Sequence, residues 1–157
     1  MKRETVELTE FTVRSPRAAG ATLNSEFQGE LRITSEGDIV AARKAIRNAA
    51  TGLGFGLIEV TRIVTAASEL TRNIYQYAGS GSVRWRSLTK AGAVGLELAF
   101  EDQGPGITDI SQAMEAGFST GRGMGLGLPG AKRLMDEMRI QTAVGQGTLV
   151  EVRKWLK

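Results

Sequence analysis

Between Ile39 and Tyr77 apolar side chains return every three or four residues, in two separate runs. The first is Ile39, Ala42, Ile46, Ala49 and Leu53; the second is Val60, Ile63, Ala67, Leu70, Ile74 and Tyr77. That spacing follows the 3.6-residue helical period, so each run predicts a helix with one face to bury. Ser35 and Asp38 are candidate caps for the first helix. Gly52, Gly54 and Gly56 punctuate its end, and Gly79, Gly81 and Ser82 stop the second.

The rest of the chain supplies strands. Leu31 and Ile33 suggest a short one, and Val83–Leu88 and Val94–Phe100 two longer ones joined near Ala91-Gly92. A hairpin is expected at Ile140–Val144 and Thr148–Trp155, around Gly145-Gln146-Gly147. Between these sets lie a short helix near Ile110–Ala116, a glycine-rich loop and a third long helix, Leu128–Met138, with Pro129 suited to its first turn. Several strands with separate helices predict the α+β class, with helices packed on one face of a mixed sheet. Residues 1–29 read differently. Val6, Leu8, Phe11 and Val13 could form a short strand, but Ser15–Gly29 is rich in small and polar residues. They are expected to be an extension, mobile or loosely docked, ahead of one domain at 30–157.

Composition excludes several chemistries. The 157 residues contain no cysteine and no histidine. Disulfides, thiol catalysis, Ser-His-Asp chemistry and His-bound zinc are therefore excluded. The missing cysteines fit a reducing compartment, and no apolar run approaches the ~20 residues of a membrane span. No apolar stretch follows Met1-Lys2-Arg3-Glu4 as in a secretory leader. The expectation is a cytoplasmic protein without membrane contact. The net charge of +3 comes from 20 basic and 17 acidic residues that are interspersed. Arg84-Trp85-Arg86 is a basic-aromatic cluster that reads better as a strand face than as a nucleic-acid platform.

Four short features bear chemistry, in order along the chain. Glu69 and Asn73 stand four apart and share a helix face, where both offer hard oxygen ligands. Asp102-Gln103-Gly104-Pro105-Gly106 sets an acid at a strand end, placed to accept from an amino group, before glycines that let a ligand approach the backbone. Gly121-Arg122-Gly123-Met124-Gly125-Leu126-Gly127-Leu128 runs into a helix, whose first N–H groups make an anion site. Gly145-Gln146-Gly147-Thr148 forms the last turn. Gly125–Gly130 formally matches G-x-G-x-x-G, but no strand precedes it, and no G-x-x-x-x-G-K-[ST] occurs.

Each feature alone is an ordinary helix face or turn. Their ordered combination, with Asp102 following Asn73 by 29 residues, resembles the GHKL ATPases. Glu69-Leu-Thr-Arg-Asn-Ile-Tyr75, Glu101-Asp-Gln-Gly-Pro-Gly-Ile107, Gly117-Phe-Ser-Thr120 and Lys132-Arg-Leu-Met-Asp-Glu137 narrow the likeness to the anti-sigma-factor kinase family and its stressosome switch kinases. This resemblance covers about residues 30–157. It implies a Bergerat fold, a two-layer α/β sandwich with a mostly antiparallel sheet, and ATP/ADP and Mg²⁺ as ligands. It also implies that Asn73 holds Mg²⁺ against the phosphates and that Glu69 takes the proton of a substrate serine or threonine. Asp102 would read the adenine amino group, Gly104 and Gly106 would form the turn beside the base, and Thr148 would support adenine binding. Gly123, Gly125 and Gly127 would surround the phosphates. The implied partners are STAS-domain scaffold or antagonist proteins as substrates, and a metal-dependent serine phosphatase activated on release. A nucleotide-gated anti-sigma factor or a binding module without catalysis is the competing expectation. Arg122 departs from the small residues around it, and either a phosphate, a partner or water could face it.

Overall fold

A computed structural model describes residues 4–8, 11–12, 27–115 and 127–157. Helix α1 spans Glu36–Leu53. Ser35 caps it from an extended backbone: its hydroxyl accepts from the Asp38 amide at 3.3 Å, and the Asp38 carboxylate accepts from the Ser35 amide at 3.1 Å. This reciprocal box satisfies two of the amides that a helix start leaves unpaired. Gly54, at φ 100°, ends the helix in a left-handed turn that favours glycine. Helix α2 spans Leu57–Asn73 and buries Val60, Ile63, Ala67 and Leu70, as the spacing predicts.

The expected stripe fails at Tyr77, which is exposed. Ile74–Ala78 continues α2 as a turn of π-helix. The wider turn brings Ala78 rather than Tyr77 round beneath Ile74, and Ala78 packs beside Gly104. Such turns gather at functional sites.

The strands are β1 (Glu4–Leu8), β2 (Phe11–Thr12), β3 (Gly29–Ile33), β4 (Gly81–Lys90), β5 (Ala93–Asp102), β6 (Glu137–Ala143) and β7 (Gly147–Trp155). They form one sheet in the order β2-β1-β6-β7-β5-β4-β3, and every described pairing is antiparallel. Strand β1, from the segment expected to be an extension, pairs with β6.

Alternation sorts the central strands into two faces. Val83, Leu96, Leu98, Phe100, Met138, Ile140, Val150 and Val152 join α1 and α2 in the buried core. Burying a large aliphatic side chain there stabilises the fold by about 1.5–3 kcal/mol. Glu97, Arg86 and Arg153 occupy the opposite face.

Two short helices complete the chain, α3 (Ile110–Ala113) and α4 (Gly127–Leu134). The expected helix Leu128–Met138 is therefore too long by four residues, since β6 begins at Glu137. Lys154 caps the α4 end, its Nζ donating to the Leu134 carbonyl at 2.9 Å. Asp136 then enters the ladder, with its amide on the Arg153 carbonyl and its carboxylate accepting from the Trp155 amide. Met138 and Ile140 are buried at a spacing of two, which suits a strand.

Candidate functional site

Asp102 ends β5 with its side chain half-buried. The Gly104 amide donates to its Oδ1 at 2.9 Å, an Asx turn that starts the Gly-Pro-Gly loop. Burial holds the carboxyl above its ordinary pKa, while the amides of Gly104 and Thr148 pull it back. Among the described residues no basic side chain forms an ion pair with it.

Close backbone approaches build the walls around it. A side chain at Gly104 would run into Ala78 of the π turn at 2.7 Å. Gly106 has φ 77°, and a Cβ there would collide with the Ala143 carbonyl. Gly147, at φ 86°, lies against the Asp102 carbonyl in the same way. Left-handed backbone and crowding both demand glycine at these two positions. The Gly145 amide donates to the Pro105 carbonyl at 2.8 Å and ties the last hairpin to the loop. Asp102, Gly104, Gly106 and Thr148 are thus gathered at one end of the sheet.

Sequence reasoning passed over a side chain at the centre of this cluster. The buried hydroxyl of Thr142 accepts from the Ile107 amide at 2.9 Å, donates to the Gly147 carbonyl at 3.0 Å and meets the Thr148 hydroxyl at 3.0 Å. The signal was available: a hairpin turning through 144–146 makes Thr142 and Thr148 cross-strand partners. Gly81, a helix stop by sequence, stands opposite Asp102 in the register and likewise lacks room for a side chain.

Asn73 is the last residue of α2, at the head of the π turn, and Glu69 sits one turn earlier. The Glu69 side chain is largely buried and pairs with Arg72 at 2.9 Å. Beside it opens a groove of about 700 Å³ between α1 and α2, lined by Arg43, Arg47, Thr61, Thr65, Glu69 and Arg72. Leu57 and Ile58 stand exposed at the start of α2. Glu69 opens onto the groove, whose lining does not include Asn73.

The donor set suits Mg²⁺ if phosphates complete it. Mg²⁺ keeps several waters and takes few protein oxygens beside substrate phosphates. Asn73 offers one such oxygen, and the described residues contain no group of three or more carboxylates that would cage a metal unaided. Gly127 opens α4 at φ 36°. Gly123, Gly125 and Arg122 lie outside the described residues. Lys132 and Arg133 are exposed in the last turn of α4. No described helix is long and apolar enough to cross a membrane.

The profile of the histidine kinase-, DNA gyrase B-, and HSP90-like ATPases matches residues 58–157. The chain is 52% identical over 130 residues to serine/threonine-protein kinase RsbT of Bacillus subtilis, covering 83% of this chain and 98% of that one. It is 30% identical over 121 residues to an anti-sigma F factor of Thermoanaerobacter pseudethanolicus, covering 73% and 83%. Among solved structures, the RsbU and RsbW domains of a Mycobacterium tuberculosis protein match with a TM-score of 0.51 at 19% identity, covering 82% of this chain and 33% of that one. That last likeness concerns the fold.

Proposed function

Because the chain belongs to the histidine kinase-, DNA gyrase B- and HSP90-like ATPase family, we propose that it is a Mg-ATP-dependent serine/threonine protein kinase that phosphorylates a partner protein. The observation that carries this reading is the position of Glu69, one helical turn before Asn73 and beside an open groove. A protein that phosphorylates another chain needs a base reachable from outside, and Glu69, paired with Arg72 at 2.9 Å, lies on the wall of that groove.

The residues divide the work. Asp102 accepts from the adenine amino group, and Gly104 and Gly106 let the base approach the backbone. Asn73 would hold Mg²⁺, which neutralises charge on the phosphates. Gly127 opens α4, whose first amides suit an anion, and Gly123 and Gly125 would join it around the phosphates. Glu69 orients the incoming hydroxyl and takes its proton as oxygen bonds to the γ-phosphorus and ADP leaves. Arg72 fixes the Glu69 side chain on the groove wall. The groove itself, basic at Arg43 and Arg47 and apolar near Leu57, gives a segment of the partner a place to lie.

The substrates we propose are STAS-domain scaffold or antagonist proteins, with release of the kinase activating a metal-dependent serine phosphatase in a cytoplasmic switching pathway. The kinase domain is read as residues 30–157. The likeness to anti-sigma F factors supports a second reading, a nucleotide-gated anti-sigma factor. One assay separates them: γ-labelled ATP, Mg²⁺ and a purified STAS-domain protein from the same source, with Glu69→Gln beside the native protein. The kinase reading expects label on a partner serine or threonine, reduced about 10²–10⁴-fold in Glu69→Gln while ATP binding persists. ATP binding without transfer to the partner would overturn the kinase reading in favour of the second, and equal transfer by Glu69→Gln would overturn the assignment of Glu69.

A further inference from the structure

The register sets Asp102, Thr148 and Thr142 side by side on β5, β7 and β6, one row across three neighbouring strands. Asp102, at one end, is an acceptor when ionised. Thr148, in the middle, is partly exposed, and Thr142, at the other end, is 2% exposed. A hydroxyl carries one hydrogen and two lone pairs. The Thr142 oxygen meets three groups. The Ile107 amide can only donate, so it takes one lone pair. The Gly147 carbonyl can only accept, so it takes the hydrogen. What remains for Thr148 is the second lone pair, and the Thr148 hydroxyl must then spend its own hydrogen on Thr142.

From this accounting we propose that Thr142 is a positioning residue that fixes the direction of the Thr148 hydroxyl, leaving Thr148 only lone pairs to offer the nucleotide cleft and so tuning the site for a base with an exocyclic amino group. The inference rests on the nucleotide reading of the cleft. Two acceptors, the Asp102 carboxylate and the Thr148 oxygen, then face the same edge of the base, directly or through a water. Adenine presents amino hydrogens to such a pair. Hypoxanthine presents a keto oxygen in the same place, and lone pairs would oppose lone pairs. Without the Thr142 hydroxyl, Thr148 is free to turn its hydrogen outward and donate to that keto oxygen. The buried Thr142 also holds the Ile107 amide and the Gly147 carbonyl, which keeps the Gly-Pro-Gly loop and the hairpin in contact.

The test compares dissociation constants for ATP and inosine triphosphate, each with Mg²⁺, by calorimetry on the full chain. The native protein is expected to prefer ATP. Thr142→Val should cut the ratio of the two affinities about five-fold, the scale of one neutral hydrogen bond. Thr142→Ser, which keeps the hydroxyl, should restore it. Thr148→Val removes the relayed oxygen while Thr142 keeps both main-chain partners, and it should lower the ratio as much as Thr142→Val. If Thr142→Val does not fold, Thr148→Val decides. A native ratio retained in Thr148→Val, or in a folded Thr142→Val, overturns the proposal. Native protein that binds neither nucleotide would instead overturn the ATP reading beneath it.

Discussion

Glu97 and Asp102 are carboxylates on one strand, five residues apart and therefore on opposite faces of the sheet. Glu97 is fully buried, and both its oxygens are engaged: Arg86 reaches Oε1 at 2.7 Å and Arg153 reaches Oε2 at 2.6 Å. The Phe27 ring lies over the guanidinium groups of Arg84 and Arg86, 4.6 Å from each. Glu151, on the same face, has its carboxyl held above the ordinary range by burial and by the neighbouring Glu97. Asp102 is only half-buried and meets backbone amides rather than cations. A buried charge saturated by fixed partners holds strands together and has nothing left for a ligand. A carboxylate that is desolvated yet incompletely partnered is ready to bind one.

That contrast can be broken by mutation. The largest effect is expected from Glu97→Ala, which leaves Arg86 and Arg153 facing each other in a buried site. It should lower unfolding stability by about 3–5 kcal/mol in urea titration. Equal stability in mutant and native protein would show that the charges relax into water.

Asp102→Asn should behave in the opposite sense. ATP affinity should fall about ten-fold or more, as for loss of a charged hydrogen bond. The ligand-free fold should gain stability at neutral pH, because burial raises the Asp102 pKa. A raised carboxyl costs stability where it is ionised, above its folded pKa, and nothing below the ordinary value of 3.8. The melting-temperature advantage of the mutant should therefore shrink as pH falls through the folded pKa toward that value. In the native protein ATP affinity should begin to weaken at a higher pH than for an ordinary carboxylate, a dependence that Asp102→Asn should lack.

Gly106→Ala should cost about 1–2 kcal/mol for left-handed backbone, and more if the Ala143 carbonyl cannot move; both melting temperature and ATP affinity should register it. The smallest effect belongs to Glu101→Ala. Its pairing with Arg84 at 3.6 Å is partly exposed and should be worth less than about 1 kcal/mol. A loss comparable to Glu97→Ala would mean that the whole charged face acts as one network.

Much of this architecture was legible in the chain. Periodicity located α1 and α2 because burial on one face repeats every 3.6 residues, and Ser35 with Asp38 announced the α1 start because capping is local chemistry. The Asp102 turn on the Gly104 amide is equally local chemistry, although the sequence pointed only to an acid before a glycine turn. The end of α4 was not legible. Leu128–Met138 has apolar residues that fit either period, and the choice fell to β7, whose Lys154 and Trp155 seize Leu134 and Asp136 from 20 and 19 residues away. Tyr77 escaped as well, since no motif within the segment announces the π turn at Ile74–Ala78, whose Ala78 lies beside Gly104.

By itself, then, the sequence determined most element types, the α1 cap and the glycine turns, and it offered Glu69, Asn73 and Asp102 as candidates for chemistry. These depend on groups within a few residues of one another. Only the tertiary structure decided what covers each face of β5: the helices pack on the side of Leu98, Phe100 and Asp102, and the Glu97 ion pairs lie on the other, a choice that alternation alone does not make. It likewise decided that Thr142 stands beside Thr148 and Ile107, since hydrogen bonds spanning 35 residues exist only once the sheet has chosen its register.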